Sequence, residues 1–209
     1  MGGVGTSTGR PLRDGVRWLN RMERSSAGAA VAIPDGVVLR PYRPTRDHTA
    51  IPEVVADAFD GLRWPEDWER FPAFDPGGVF VAEAVEADEA TGHLAGCAAG
   101  GLAVGDAGCG PKEGPVVGFV VGFRRGDLGY VSVLAVRPAF QRGGIGHALL
   151  GTAVGYLGSL GLERVQVDAF TDSPAAVGLY LAAGFEIVRT FRDEAGPTRA
   201  ARAEEDGAA

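Results

Sequence analysis

"VRPAFQRGGIGHALL", residues 136–150, ends an apolar run with a proline and then sets Gly143, Gly144 and Gly146 around a single isoleucine. The stretch before it, "YVSVLAV" at 130–136, is rich in β-branched residues and reads as a strand. From Ile145 the apolar period turns helical: Ile145, Leu149, Ala153, Val154 and Leu157 share one face, and Gly161 is placed to stop the helix. The spacing therefore predicts a strand, a turn poor in side chains, and a helix. The first amides of such a helix have no carbonyl partner and lie at the positive end of its dipole, which makes the turn an anion site. Gly144 and Gly146 carry no Cβ to hold a phosphate away, Gly143 loosens the turn, and the side chains of Gln141 and Arg142 add donors.

Further strands are expected at 37–44, 79–86 and 116–125, the last joined to the 130–138 strand by the turn "GDLG". Asp47 is expected to cap a helix bearing Ile51, Val54, Val55, Ala58 and Phe59. "RVQVDAF" at 164–170 alternates as a strand. After it comes a compact helix with Ser173 as N-cap, Pro174 at its first position and Gly184 as its stop, and "FEIVRTF" closes the set. Strands with two late crossover helices imply an α/β (α+β) sheet of mixed direction. Residues 1–36 read as a mobile N-terminal arm, in which "LRDGVRWLNRM" could form a short helix bearing Leu12, Val16, Leu19 and Met22. Residues 37–193 form the domain, and 194–209 read as a disordered tail. In the 145–159 helix Gly151, Gly155 and Gly158 form a second stripe, attributable either to close packing against a sheet or to compositional drift. The Gly/Ala-rich stretch 87–115 fits either a weak strand or a hairpin insertion.

A chain of 209 residues with 45% hydrophobic and 22% charged residues has the composition of a globular domain. Its net charge of −7 argues against nonspecific nucleic-acid binding. The apolar run "VVGFVVGF" at 116–123 is too short to span a membrane. The N-terminus lacks the apolar segment of a secretion signal, so cytoplasmic residence is the expectation. Cys97, Cys109 and His93 lack the spacing of a metal site, and no metal is expected. The Walker pattern fails because no lysine follows the glycines, and in the dinucleotide pattern the third small position falls on Leu149.

"LAVRPAFQRGGIGHALL", followed by "TDSPAAVGLYLAAGFEIV", resembles the GNAT superfamily of acyl-CoA-dependent N-acyltransferases, whose signature is Q/R-x-x-G-x-G/A after the fourth strand. Gln141, Gly144 and Gly146 fill its three positions. Tyr180, Gly184 and Phe185 match its closing segment, with Ser173 where an Asn is common. The resemblance implies a mostly antiparallel sheet splayed between its fourth and fifth strands and flanked by helices. It implies acetyl-CoA as co-substrate, its pantetheine arm along Leu134, Ala135 and Val136, and its pyrophosphate on the amides of Arg142, Gly143, Gly144, Ile145 and Gly146. Tyr180 would be the acid for the departing thiolate, and the Val136 N–H the oxyanion donor. The glutamate that such proteins often carry early on the fourth strand is absent, since the stretch here reads Tyr130, Val131, Ser132. Asp168, Glu83 or a chain of waters stands open as the base. The segment from Phe59 to Phe74, with Trp64, Trp68, Asp60, Glu66, Asp67 and Glu69, either walls a site for a cationic amine or packs beneath a long loop. The expected activity is N-acetyl transfer to a primary amine, on a small molecule or a peptide, with no nucleic-acid or membrane partner. A homodimer is compatible with it. The alternatives are a degenerate acyl-CoA-sensing module and, behind it, a nucleotide-binding protein.

Overall fold

The computed structural model describes residues 17–28, 31–65, 67–70, 74–85 and 114–193. Among these, seven strands form one sheet: β1 (Trp18–Ser25), β2 (Val37–Pro41), β3 (Val79–Ala84), β4 (Val116–Arg125), β5 (Leu128–Val136), β6 (Arg164–Phe170) and β7 (Glu186–Arg192). Their spatial order is β2-β3-β4-β5-β6-β1-β7. Every neighbouring pair is antiparallel except β5 and β6. The β4–β5 hairpin turns at Gly126, whose φ of +64° suits a tight two-residue connection. The parallel pair requires a crossover, and α3 (Ile145–Ser159) supplies it. A second helix, α4 (Pro174–Ala182), carries the chain from β6 past β1 to β7.

Both faces of the sheet are covered over part of its width. On one face α3 and α4 bury Leu149, Leu150, Leu157 and Tyr180 against Val117, Val131, Val167 and Met22. On the other, α2 (Ala50–Ala58) places Ile51, Val54 and Val55 against Val81, Phe119 and Ala135. A short α1 (Pro44–Asp47) precedes it. Gly161, at φ +78°, follows the last turn of α3, and Gly184, at φ +82°, that of α4.

The mixed, mostly antiparallel sheet flanked by helices is the expected fold, and four details correct the sequence reading. From Trp18 to Ser25 the expected arm is an interior strand, not a mobile segment or a helix; Leu12 and Val16 lie outside the described residues, as do 1–16 and the tail 194–209. Pairing on both sides, with β6 and β7, overrides a local pattern that fits either state. Asp47 does not cap α2: it is fully buried and accepts two hydrogen bonds from Arg40, each 2.7 Å. Ser173 holds the N-cap position of α4, but its hydroxyl makes no capping bond.

The glycine stripe of α3 is the fourth detail. Gly151 and Gly158 pack not on the sheet but against described residues of the connection between β1 and β2, Val31 and Ser26. A Cβ on Gly151 would lie 2.4 Å from Val31, one on Gly158 3.2 Å from Ser26, and one on Gly144 3.4 Å from Pro34. A Cβ on Gly155 would meet nothing within 4 Å. The stretch 87–115 lies outside the described residues apart from its last two positions, Gly114 and Pro115.

Candidate active site

β5 and β6 pair only at Gly129–Val165, Tyr130–Gln166 and Val131–Val167. Beyond that the ladder stops, while β5 continues beside β4 to Val136. The register against β4 shifts where Val121 faces Val133 and Gly122 faces Val131, which leaves Ser132 as the extra residue of a bulge. A bulge raises local twist and ends pairing, and here it coincides with the point where the two parallel strands part. This is the expected splay, between the fourth and fifth strands of the pattern read from residue 37.

The parted edge of β5 carries unpaired amides. Arg137 N–H donates to Val117 O at 2.8 Å, so Arg137, Ala135 and Val133 point their backbone groups at β4. Successive groups alternate, so the N–H groups of Leu134 and Val136 face the opening. Their side chains lie on the α3–α4 face, whereas Val133 and Ala135 pack toward α2.

Just past β5 the chain makes a 3-10 turn, Pro138–Phe140, and reaches the glycine turn. Gln141 Nε2 donates to Val136 O at 2.9 Å, so this side chain ties the turn to the end of the strand. Arg142 has φ +69° and Gly144 φ +85°. Ala148 N–H makes the first bond of α3, to Gly144 O at 3.0 Å. Among the described residues none of the amides from Arg142 to His147 donates to a protein acceptor. Ile145 is buried and anchors the helix start, while Arg142, Gly143 and Gly144 are exposed. A Cβ on Gly146 would sit 3.5 Å from Leu179, 3.6 Å from Leu134 and 3.9 Å from Val136, which puts this glycine where β5, α3 and α4 converge on the opening.

Tyr180 reaches the same place from α4. It is buried, with its ring edge-on to Phe185 at 5.8 Å, and its hydroxyl has no hydrogen-bond partner among the described residues. Burial pushes the phenol above its ordinary value of 10.0, and the nearby Tyr130 pushes it further. It stays protonated at neutral pH. Ser173, half-buried, stands where α4 begins.

The two candidate carboxylates part company. Glu83 lies on β3, two strands from the opening, and accepts from Arg40 Nε at 2.6 Å and Arg46 Nη2 at 2.8 Å. Burial raises its pKa, but the hydrogen bonds from Arg46 and Arg40 outweigh that and hold it below 4.5. Asp168 lies on β6, one residue beyond the last pair with β5. It accepts two bonds from Arg21, each 2.9 Å, and one from the Tyr130 hydroxyl at 3.0 Å.

The aromatic segment packs beneath the loop. Trp64, Trp68, Phe74, Tyr42 and Phe119 form edge-to-face contacts of 5.0–6.4 Å. Glu69 accepts from the Tyr42 hydroxyl, Asp60 and Asp67 are exposed, and Glu66 and Phe71 lie outside the described residues. Among the described residues there is no group of three or more His, Cys, Asp or Glu side chains able to hold a metal, and no helix long and apolar enough to cross a membrane. His93, Cys97 and Cys109 are outside that set.

A mixed sheet parted at its one parallel pair, with the crossover helix starting just past the parted strand, defines the class of fold: that of the GNAT acetyltransferase domain. The chain belongs to the acetyltransferase (GNAT) family, whose model matches residues 50–185. It is 31% identical over 185 residues to a mycothiol acetyltransferase of Streptomyces avermitilis, covering 81% of this chain and 50% of that protein. It is 34% identical over 160 residues to a mycothiol acetyltransferase of Amycolatopsis mediterranei, covering 72% and 46%. The chain thus spans about half the length of these relatives. Among solved structures, a GCN5-related N-acetyltransferase from Sphaerobacter thermophilus shares the fold at a TM-score of 0.64 and 23% identity, over 88% of this chain and 51% of that one.

Proposed function

We propose that the chain transfers an acetyl group from acetyl-CoA to a primary amine by direct attack within a ternary complex. The observation that carries this reading is two sets of amides without a partner among the described residues: Leu134 and Val136 on the open edge of β5, and Arg142 to His147 at the first turn of α3. A diphosphate on the amides of Arg142 to Gly146 leaves the pantetheine arm to run back along Leu134, Ala135 and Val136. The thioester ends that arm and so lies deeper in the opening than the phosphates. Leu134 N–H is about 7 Å nearer the closed end than Val136 N–H, at roughly 3.3 Å per residue. This geometry favours Leu134 as the oxyanion donor and Val136 as a partner for a pantetheine carbonyl, a reassignment of the role the resemblance gave to Val136.

Acetyl-CoA supplies the activated acyl group, and amide formation then needs alignment, an oxyanion donor and a proton for the thiolate. Tyr180, protonated and without a partner for its hydroxyl among the described residues, suits the last task. Gln141 acts indirectly by fixing the Val136 carbonyl, and Ser173 shapes the start of α4 beside the opening. The acceptor is a small-molecule or peptide amine. A mycothiol-type substrate is the first to try, since that name belongs to the relatives matched over half their length.

Thermal shift with acetyl-CoA, NAD and ATP, followed by thiol release across an amine panel, tests the reading. Stabilisation by acetyl-CoA alone and thiol release with at least one amine are expected. Preference for NAD or ATP sinks it, and acetyl-CoA binding without turnover favours a sensing module.

A further inference from the structure

Between Val136 and Ile145, both buried, every residue from Pro138 to Gly144 is exposed. A stretch with no buried side chain is held loosely unless hydrogen bonds fix it. Two side chains of the strand end and its turn do so, in opposite directions. Gln141 reaches back to Val136 O at 2.9 Å, a bond that stays within the turn. Arg137 reaches out of it. Its N–H donates to Val117 O at 2.8 Å and its carbonyl accepts from Phe140 N–H at 2.9 Å, so its backbone joins β4 to the 3-10 turn. Its side chain crosses the start of β4, where Nε donates to Val116 O at 3.0 Å. Beyond that strand Nη1 donates to Asp57 at 2.7 Å and Nη2 to Glu53 at 3.1 Å, both on α2.

We propose that Arg137 is a positioning residue for the cofactor: its clamp onto α2 holds the glycine turn in the shape that receives the diphosphate before acetyl-CoA arrives. This rests on the reading above, which puts the diphosphate on the amides of Arg142 to Gly146. The mount is firm, because α2 is fixed to the sheet by Ile51, Val54 and Val55, all fully buried. The fork is firm too. Each guanidinium nitrogen has its own acceptor, one β4 carbonyl and two carboxylates, and a planar group held at three points cannot turn. A turn already in its bound shape loses less conformational freedom when the ligand binds.

Neither helix stability nor folding accounts for this arrangement. Glu53 and Asp57 lie one turn apart on α2, and like charges at that spacing repel, so the two acids suit a cation between them better than they suit the helix. Their side chains are 68% and 48% exposed, and ion pairs so open to solvent contribute little to the folded state. Charge alone does not account for it either. One arginine with two carboxylates is a net negative group, which by itself opposes a diphosphate nearby. Position and charge therefore predict opposite signs when the acids are neutralised.

Calorimetry of acetyl-CoA binding, with steady-state kinetics on an amine that the wild type acetylates, separates the two. Glu53→Gln combined with Asp57→Asn removes two negative charges and leaves the turn's own residues in place. Charge alone makes this variant bind acetyl-CoA more tightly; loss of position makes it bind about five- to tenfold more weakly, which is the expected result. Arg137→Met should weaken binding to a similar degree and raise the KM for acetyl-CoA with it, while kcat stays within about twofold of wild type. All three substitutions together should lose no more than the worse part, since they break one clamp. Arg137→Lys keeps the charge but cannot serve three acceptors in one plane, and should recover only part of the loss. Unchanged or tighter binding after Glu53→Gln with Asp57→Asn, full recovery in Arg137→Lys, or a loss confined to kcat each overturns the proposal while the transferase reading stands. A wild type that does not bind acetyl-CoA overturns both.

Discussion

Two arginine–carboxylate clusters occupy this sheet, and they differ in what surrounds them rather than in how they are bonded. Arg40 with Asp47 and Glu83 sits at the β2–β3 side under α1, every group buried and bonds of 2.6–2.7 Å throughout. Arg21 with Asp168 sits at the β6–β1 side with bonds of 2.9 Å, and has a phenol at the opening as its third member. In the first cluster each carboxylate faces cations and the backbone, with Arg43 N–H on Asp47 at 2.8 Å and Arg46 on Glu83. Burial and pairing alone thus fail to separate the two candidate carboxylates, Glu83 and Asp168. The strand register distinguishes them: Asp168 stands one step past the last β5–β6 pair, whereas Glu83 is paired on both sides of its strand, with Val38 and Val116.

The sharpest way to break this contrast is to unpair the first cluster. Arg40→Met strands two buried carboxylates, and a loss of about 3–5 kcal/mol in unfolding free energy is expected, measured by urea denaturation. The affinity of the remaining folded protein for acetyl-CoA should hold. The cluster also fixes an acid dependence. Burial raises Asp47, but hydrogen bonds from Arg40 and the Arg43 N–H outweigh it, so its folded pKa lies below 3.8. A depressed pKa contributes stability that is complete above the unfolded value and is lost as pH falls toward the folded one. Wild-type stability should therefore drop on acidification below about pH 4, and Asp47→Asn should lack that part of the slope.

The opening answers in the reverse sense. Gly144→Glu places a carboxylate at the proposed diphosphate site and is expected to weaken acetyl-CoA binding at least about a hundredfold by calorimetry, from charge repulsion and lost amide contacts. Gly144 has φ +85°, so any side chain is strained there. Gly144→Ala isolates that strain, and a hundredfold loss in the alanine variant would mean that backbone shape, not charge, governs the site. Tyr180→Phe comes next. Turnover should fall about ten- to hundredfold with acetyl-CoA affinity nearly intact, and unchanged turnover removes Tyr180 from the chemistry.

How much of this was legible in the sequence follows from the distance over which each signal acts. The glycine turn, α3, β6 and α4 carry their punctuation within a few residues, so Gly144, Gly161, Pro174 and Gly184 could be read directly. β1 could not, because its partners lie more than 140 positions away: Arg21 meets Asp168 and Met22 pairs with Val167. "WLNRMERS" has only Trp18, Leu19 and Met22 as apolar residues, too few to fix a period. The Tyr130–Asp168 contact was hidden for a related reason. Both residues were visible, but their meeting depends on a parallel register that no local pattern sets. The absent strand glutamate was the available clue, since it leaves a gap some other carboxylate must face.

The smallest effect concerns α3, where one stripe holds glycines of opposite meaning. In the middle of a helix, Gly costs about 1 kcal/mol relative to Ala. Gly155 has open space around its missing Cβ, so Gly155→Ala should stabilise the protein by about 0.5–1 kcal/mol, read as a small rise in Tm. Gly151 gains the same propensity on substitution, but its Cβ would lie 2.4 Å from a branched methyl of Val31. Relief requires the β1–β2 connection to lift, which offsets the gain and should leave Gly151→Ala about 1–2 kcal/mol less stable than Gly155→Ala. The connection anchors β1, and β1 carries Arg21. Gly151→Ala should therefore also disturb the Arg21–Asp168 pair, lowering turnover slightly, whereas Gly155→Ala leaves turnover alone. Equal stability in the two variants would mean that the connection yields freely and that drift, not packing, set the stripe.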